Sequence, residues 1–509
     1  MANLRQKLKI FNYRPLVLIF LALCSGILVN NFITHEKTVT IVGIVLVSAV
    51  LIFYSILHKK FKYILIFGLC FVVGFGCFEI YMNARTHNPA NITEQYAQGV
   101  VTSIANKGAY LELLVEDVTI DEERLEYNVI LDYYNIYQSG YKNIENGSKI
   151  AFKIESQGTP NYYYDGVPNT SNLANNVGLC ATTYSVEILG VEKTVRNTVL
   201  ARIRENLRLG LNNLNGEMIY SAMFGDKTEL NHDLYGAYKG AGVAHLLAVS
   251  GLHVGLVVAI IYWILKKLKV KGWWRVTIIV PLLLAYAYLC NFSYSIIRAC
   301  IMAIVLMIAP LLFSEYDLLS SICFAGSLIL LIEPIALFAL SAQLSFGCVF
   351  GIAMLYPLFK KGLNKIHINH PITDSFCISL STIISTSVFM AYYFGYLQPI
   401  GLISNIIIIP IFGILFTITF ILAMLSVILP FVCYLLIFIN PLFEWLNWAI
   451  IFIANHAKVW FTPSVNYLTI ILFGLLMTVA SKFNLKKGLD KLVMLSICIC
   501  ILSTQIILI

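Results

Sequence analysis

Residues 399–425 read PIGLISNIIIIPIFGILFTITFILAML, twenty-seven positions without one ionisable side chain. As a helix rising 1.5 Å per residue this run covers about 40 Å, more than the ~30 Å hydrocarbon core of a bilayer. Comparable runs lie at 15–33, 39–57, 62–80, 244–265, 276–291, 293–313, 317–337, 339–359, 375–397, 426–441, 465–481 and 491–509, which gives about thirteen spans. The region 426–463 is the least regular, because Asn440-Pro441 interrupts it. The stretch from Phe443 to His456 reads equally as an interfacial helix.

Composition agrees. The 509 residues are 59% hydrophobic and only 12% charged, against about 45–50% and about 25% in an ordinary soluble domain. That excludes a soluble globule, a disordered chain and a secreted disulfide scaffold. Of twelve cysteines, eleven sit in apolar runs and only Cys180 falls in a mixed segment, so no intradomain disulfide is available there. The net charge of +8 resolves into position: 19 of the 35 Lys and Arg cluster at 5–14, 59–62, 266–275, 360–365 and 482–491. All five clusters can share one side, which the positive-inside rule makes cytoplasmic. The expected topology has a cytoplasmic N-terminus, an outer segment at about 81–215 and Ile509 outside. The first run reads as an uncleaved anchor.

Between about 97 and 190 the periodicity changes to two. Leu111, Leu113 and Val115 alternate with polar residues, as do Tyr127, Val129 and Leu131, and Ile150, Phe152 and Ile154, with turn signals at Asn106-Lys107-Gly108, Ser139-Gly140 and Asn146-Gly147. About five short strands suit a small OB-like β-barrel. Residues 86–190 hold 13 Asp and Glu against 5 Lys and Arg, so no positive groove for phosphates is visible in the sequence. Tyr133-Tyr134 and Tyr162-Tyr163-Tyr164 read either as base-stacking rings or as ordinary strand tyrosines. The expected division is three N-terminal spans at 1–80, the β domain at 81–192, amphipathic interfacial helices at 193–240 and a transmembrane channel domain at 241–509.

After the β segment Val195, Val199, Ile203, Leu207 and Leu211 recur every four residues, one face of a helix. Arg196, Arg202, Arg204 and Arg208 lie off that face and read as an interfacial basic surface, or as a positive rim for an anionic polymer.

Residues 216–256, GEMIYSAMFGDKTELNHDLYGAYKGAGVAHLLAVSGLHVGL, carry the polar groups that an apolar bundle should not contain. His245 and His253 would diverge by about 80° on an unbroken helix, and Ser250-Gly251 between them is a point where such a helix breaks and frees anion-binding N–H groups. No metal is expected. The two histidines lack i, i+4 spacing with a carboxylate between them, and the pair His367 and His370 reads as a solvated loop. Ser250 does not sit in a G-x-S-x-G elbow.

HLLAVSGLHVGL, His245 to Leu256, resembles the signature of the ComEC family, the polytopic channel of bacterial natural transformation. Phe224–Leu230 (FGDKTEL), Tyr235–Leu247, Arg298 in SIIRACIM, Leu340–Ile352 and Tyr396–Pro410 match that family's pattern as well. The resemblance implies a multi-pass protein of the bacterial cytoplasmic membrane that imports single-stranded DNA. Its partners would be a surface DNA receptor and a cytoplasmic competence ATPase, with the non-imported strand degraded by a separate nuclease or removed otherwise. The chain lacks the H-x-H-x-D-H cluster of the family's metallo-β-lactamase-like domain, so a transport channel without cofactor or catalytic residues is expected.

A phosphate-bearing strand needs a wet path lined by donors that do not trap it. The candidates are Ser250, Gly251, His245 and His253 at the break, Lys239 at the mouth and Arg298 deeper. Gln343, Ser345 and Asn405 serve as neutral contacts. Asp226 caps a helix or pairs with Lys239. Arg298 has a structural alternative in Glu333, and Asn405 in a helix-to-helix hydrogen bond. No G-x-x-x-x-G-K-S/T loop occurs, so energy comes from elsewhere. An ion-coupled small-solute permease also uses broken mid-membrane helices, and a membrane-embedded hydrolase acting through Ser250 or a histidine is a third class.

Overall fold

The computed structural model describes residues 15–33, then 61–365 with short breaks within 88–91, 107–109, 122, 135–145, 165–166 and 192–194, and then 371–456. The expected spans at 39–57, 465–481 and 491–509, the N-terminal basic cluster, the cluster at 482–491, and His367 and His370 lie outside the described residues.

Helices α1 (Pro15–Ile33) and α2 (Phe61–Arg85) come first. α2 runs five residues past its expected end. They approach closely because glycine faces backbone on both: a Cβ at Gly26 would lie 2.2 Å from the Phe71 carbonyl oxygen, and one at Gly74 would lie 2.5 Å from that of Leu23. Asn30 Nδ2 adds hydrogen bonds to the Phe75 carbonyl at 3.0 Å and to Glu79 at 2.9 Å. Small residues and one amide are the means by which apolar helices pair without a hydrophobic driving force.

The strands are β1 (Tyr96–Asn106), β2 (Leu111–Ile120), β3 (Glu123–Arg124), β4 (Asn128–Tyr133), β5 (Ser148–Lys153), β6 (Ser156–Gly158), β7 (Tyr163–Tyr164) and β8 (Val167–Pro168). A short helix α3 (Thr170–Ala174) precedes β9 (Val177–Thr183) and β10 (Val186–Val191). Eight strands form one sheet in the order β10-β5-β1-β2-β4-β9-β6, with β3 on β2. The β4–β9 pair is parallel and the other pairs are antiparallel. β6 continues β5 across Ile154-Glu155, and β10 continues β9 across Tyr184-Ser185. The two ends of the sheet therefore belong to the same two chain segments, which run antiparallel from Gly158↔Cys180 to Ser148↔Val191. This closes five long staves into a ring. Among the described residues there are ten strands where five were expected, because bends split two staves and short hairpins add the rest. Val101, Leu113, Val115, Leu131, Ile150, Phe152 and Leu179, each at most 2% exposed, fill its core.

The remaining helices are α4 (Val195–Gly210), α5 (Asn213–Phe224), α6 (His232–Gly240), α7 (Gly251–Lys267), α8 (Gly272–Leu289), α9 (Tyr294–Ile308) and α10 (Leu318–Ile332). They are followed by α11 (Leu340–Lys365), α12 (Pro371–Phe394), α13 (Gly401–Ser426) and α14 (Asn440–His456). Among the described residues six helices are long and apolar enough to cross a membrane: 65–85, 272–289, 294–312, 340–364, 373–394 and 401–426. A seventh arises if the 3₁₀ stretch Pro430–Phe438 and α14, bent by 49°, count as one. The chain is thus a mostly helical membrane protein with a separate β region. The run expected at 244–265 becomes helical only from Gly251 and gives 17 residues. The run expected at 426–441 instead breaks at Leu429-Pro430 into the 3₁₀ stretch, since proline cannot supply the N–H that would continue α13. One core, built from Ile203, Leu207, Met218, Tyr238, Leu283, Phe412, Phe416 and Phe443 among others, joins α4–α9 to α13 and α14.

Candidate functional site

The chain leaves α6 at Gly240 and does not regain an α-helix for ten residues. Gly242 has φ +74°, and a Cβ there would lie 2.7 Å from Gly401 Cα. Glycine is needed on both counts, conformation and clearance. A 3₁₀ turn at Ala244–Leu247 follows, then extended backbone at Ala248 and at Ser250, and α7 starts at Gly251. The break expected at Ser250-Gly251 is therefore the helix start itself. His245 and His253 do not share a helix face. His245 lies in the 3₁₀ turn and is exposed, while His253 lies in the first turn of α7 and is wholly buried.

His253 Nδ1 accepts from the Ser250 backbone N–H at 3.4 Å, the returning half of a capping box. Its ring lies 4.2 Å from that of Phe416 and 6.0 Å from that of Phe412, both on α13. With Nδ1 accepting, a neutral ring carries its hydrogen on Nε2. That atom is buried and has no partner among the described residues. The Ser250 N–H, not its hydroxyl, faces this imidazole.

Arg298 on α9 is 5% exposed. Its guanidinium sits against Gly251, where a Cβ would come within 2.5 Å of Nη2, and 6.0 Å from the Phe346 ring of α11. Nε has no acceptor among the described residues. The alternative partner Glu333 instead meets the Tyr294 hydroxyl. Gln343 lies one turn before Phe346 on α11. Its Nε2 donates to the Leu337 carbonyl at 2.9 Å, while its buried Oε1 has no partner among the described residues. Asn405, two turns before Phe412 on α13, is buried with its Oδ1 likewise unpartnered. Ser345 is half-buried on α11. Arg298 thus meets Gly251, and His253 meets Ser250, in one helix turn. Gln343 and Asn405 stand on helices that touch this group through Phe346 and Phe412.

The other candidates lie elsewhere. Asp226 does not pair with Lys239. Its Oδ1 accepts from the Thr228 N–H at 3.0 Å and from the Thr228 hydroxyl at 2.7 Å, and its Oδ2 is 4.0 Å from Arg204. The turn after α5 closes on itself, and the cation within reach belongs to α4. Lys239 sits 5.3 Å above the Tyr396 ring.

The arginines of α4 are also not an open positive rim. Ile203, Leu207 and Leu211 are buried on the expected face. Glu217 of α5, however, takes Arg204 through Nη2 and Arg208 through Nε, each at 2.7 Å. Arg196 donates to the Leu289 carbonyl at 3.4 Å, and Arg202 reaches that of Val427 at 3.5 Å. Nothing in the local spacing marks Glu217 as the partner of these arginines. For Phe412 and Phe416 the available signal is their i, i+4 spacing with Phe420.

The family model described as "Competence protein" matches residues 222–485, just over half of the chain. "ComE operon protein 3" of Bacillus subtilis is 26% identical over 198 residues, 38% of this chain and 24% of that protein. An "Uncharacterized protein" of Aquifex aeolicus is 27% identical over 251 residues, 45% and 58% of the two chains. "Recombination protein 2" of Haemophilus influenzae is 22% identical over 212 residues, 39% and 27%. The chain thus spans between about a quarter and under three fifths of these relatives' lengths. No solved structure matches it.

Proposed function

The chain belongs to the competence protein family, and on that premise we propose that it is a channel importing single-stranded DNA across the bacterial cytoplasmic membrane during natural transformation. The observation that carries this reading is a set of buried polar atoms without hydrogen-bond partners among the described residues, His253 Nε2, Arg298 Nε, Gln343 Oε1 and Asn405 Oδ1, on helices of one apolar bundle. Polar groups without partners are costly in such a bundle unless they line a path for something polar.

In this reading the chain divides into spans at 1–80, the β domain at 81–192, interfacial helices at 193–240 and the channel at 241–509. About thirteen spans hold the N-terminus in the cytoplasm. The parallel β4–β9 pair and the closed five-stave ring support naming the β domain OB-like. Its acidic balance argues that phosphates are drawn in at the bundle and not on the barrel. A DNA receptor outside and a competence ATPase inside are the partners this function needs, with the non-imported strand removed by a nuclease or otherwise.

The test is protected uptake of labelled single-stranded DNA into vesicles holding the protein, comparing the parent with His245→Ala and His253→Ala. The channel reading expects sequence-independent uptake that is lost in the His253 variant. Unimpaired uptake in both variants would remove the pore assignment. Saturable transport of a small solute with no oligonucleotide uptake would favour a permease.

A further inference from the structure

Arg298 is a buried cation without a counter-charge. Among the described residues no carboxylate reaches it and Nε has no acceptor; Gly251 and the Phe346 ring lie against it, and the titratable groups that act on it are the Cys348 thiol and the Tyr316 hydroxyl. A guanidinium stays protonated in proteins, and an isolated buried charge is costly until something pairs with it. The group it faces is itself electropositive. α7 is 17 residues long, and its hydrogen-bond ladder opens with the amides of His253 and Val254 bonding to the Ser250 carbonyl. The Gly251 and Leu252 amides therefore stand ahead of the ladder at the positive end of the helix dipole. The wholly buried His253, in the same first turn, carries an Nε2 with no partner among the described residues. A buried guanidinium and a helix N-terminus thus meet at Gly251, both offering donors.

The geometry points to a phosphodiester as the missing partner, one strand phosphate at a time resting between the Arg298 guanidinium and the first turn of α7. A planar fork of N–H groups and free helix amides both match phosphate oxygens. Gly251 makes the seat possible, because any side chain there would meet Nη2. That the phosphate belongs to a DNA strand rests on the channel reading above; the anion seat itself does not.

The test uses the full chain in phosphatidylcholine nanodiscs at low salt, titrated with inorganic phosphate and with a thymidine tetranucleotide. Both probes should bind saturably and compete. Arg298→Gln should weaken both about tenfold or more, the scale of a lost charged hydrogen bond, and Gly251→Ala should weaken them by displacing the guanidinium. Equal affinity in Arg298→Gln, or no saturable binding of either probe to the parent, overturns the proposal. So does displacement of phosphate by phosphatidylglycerol in the discs but not by the tetranucleotide, which would assign the seat to a lipid headgroup. Folding is controlled by the unliganded melting temperature. Arg298→Met should raise it, because an unpaired buried charge is removed, and a fall overturns the claim that the charge is unpaired. Binding is read at equilibrium without transport, so a chain that fails to import DNA can still show the seat. A chain that imports DNA without Arg298-dependent binding overturns the seat alone.

Discussion

The His253 ring lies over Phe416 with centroids 4.2 Å apart and planes 25° from parallel, so the first turn of α7 is part of the aromatic spine of α13. Phe412, Phe416 and Phe420 succeed one another at 5.9 and 5.8 Å. Tyr286 of α8 meets Phe420 edge-on at 5.4 Å. His253→Ala removes both the ring and the acceptor for the Ser250 N–H and should cost about 2–4 kcal/mol in unfolding free energy. His253→Phe keeps the stack, loses the acceptor and should cost about 1 kcal/mol. Denaturant unfolding in detergent separates them. Equal losses would mean that the hydrogen bond, and not the stack, anchors the turn.

Gly242 is a second fixed point of the same segment. Its φ of +74° and its 2.7 Å clearance from Gly401 mean that Gly242→Ala meets both backbone strain and a clash with the start of α13. Gly236 on α6 has nothing within 4 Å of its Cβ position. Gly236→Ala should stabilise the protein by about 0.5–1 kcal/mol through better helix propensity, while Gly242→Ala should lower the melting temperature and the yield of folded protein. A neutral Gly242→Ala would show that the approach to α13 relaxes without cost.

Much of this was legible in the sequence, and for identifiable reasons. Period-two alternation at Leu111, Leu113 and Val115 located β2, because one face of that strand is buried. The four-residue recurrence of Ile203, Leu207 and Leu211 located the buried face of α4. Pair formation was not legible. Whether Arg204 meets solvent or Glu217, and whether Asp226 meets Lys239 or Thr228, depends on how α4 and α5 pack, and local spacing carries no record of that. The closure of the barrel was equally hidden, since it rests on the long-range pairing of β5–β6 with β9–β10.

Glu217 is expected to be more important than either arginine it holds. Its side chain is 9% exposed, against 20% for Arg204 and 38% for Arg208. Glu217→Ala leaves the half-buried Arg204 short of its main partner and should cost about 3 kcal/mol. Arg208→Ala, at the exposed end, should cost under about 1 kcal/mol. The melting temperatures of the two variants should therefore differ clearly. Equal, small losses would return α4 to the role of an open basic surface.

Cys180 on β9 offers a readout of the barrel alone. Burial, with Asp132 and Glu112 nearby, pushes its thiol up from about 9 to about 11. Only about one thiol in a few thousand is then thiolate near pH 7.5, and the thiolate is the reactive form. Short alkylation pulses followed by mass spectrometry of the Cys180 peptide should show labelling that rises about tenfold per pH unit between 7 and 10. The folded barrel holds this proton more tightly than the unfolded chain does. The corresponding stability is present below pH 9 and is lost as pH rises toward 11. Labelling at pH 7 as fast as that of a free cysteine would contradict the burial.

Asn447 is the hub of a buried network joining three helices. Its Nδ2 donates to Asn215 Oδ1 of α5 at 2.7 Å, and its Oδ1 accepts from the Tyr238 hydroxyl of α6 at 2.9 Å. Asn215 in turn donates to Asn440 Oδ1 at 2.9 Å. Asn447, Asn215 and Tyr238 are at most 4% exposed, so water does not replace a lost partner. Asn447→Leu keeps the branched side-chain shape, strands an acceptor on Asn215 and should cost about 1–3 kcal/mol. Tyr238→Phe removes the hydroxyl with its contacts to Asn447 Oδ1 and to Met218 Sδ at 2.9 Å, leaves Asn447 Oδ1 unpaired and should also cost about 1–3 kcal/mol. The double variant should be less destabilised than the sum of the singles, because both remove the same hydrogen bond. Strict additivity in thermal unfolding would mean that the two side chains act independently and that α6 is held to α14 by packing alone.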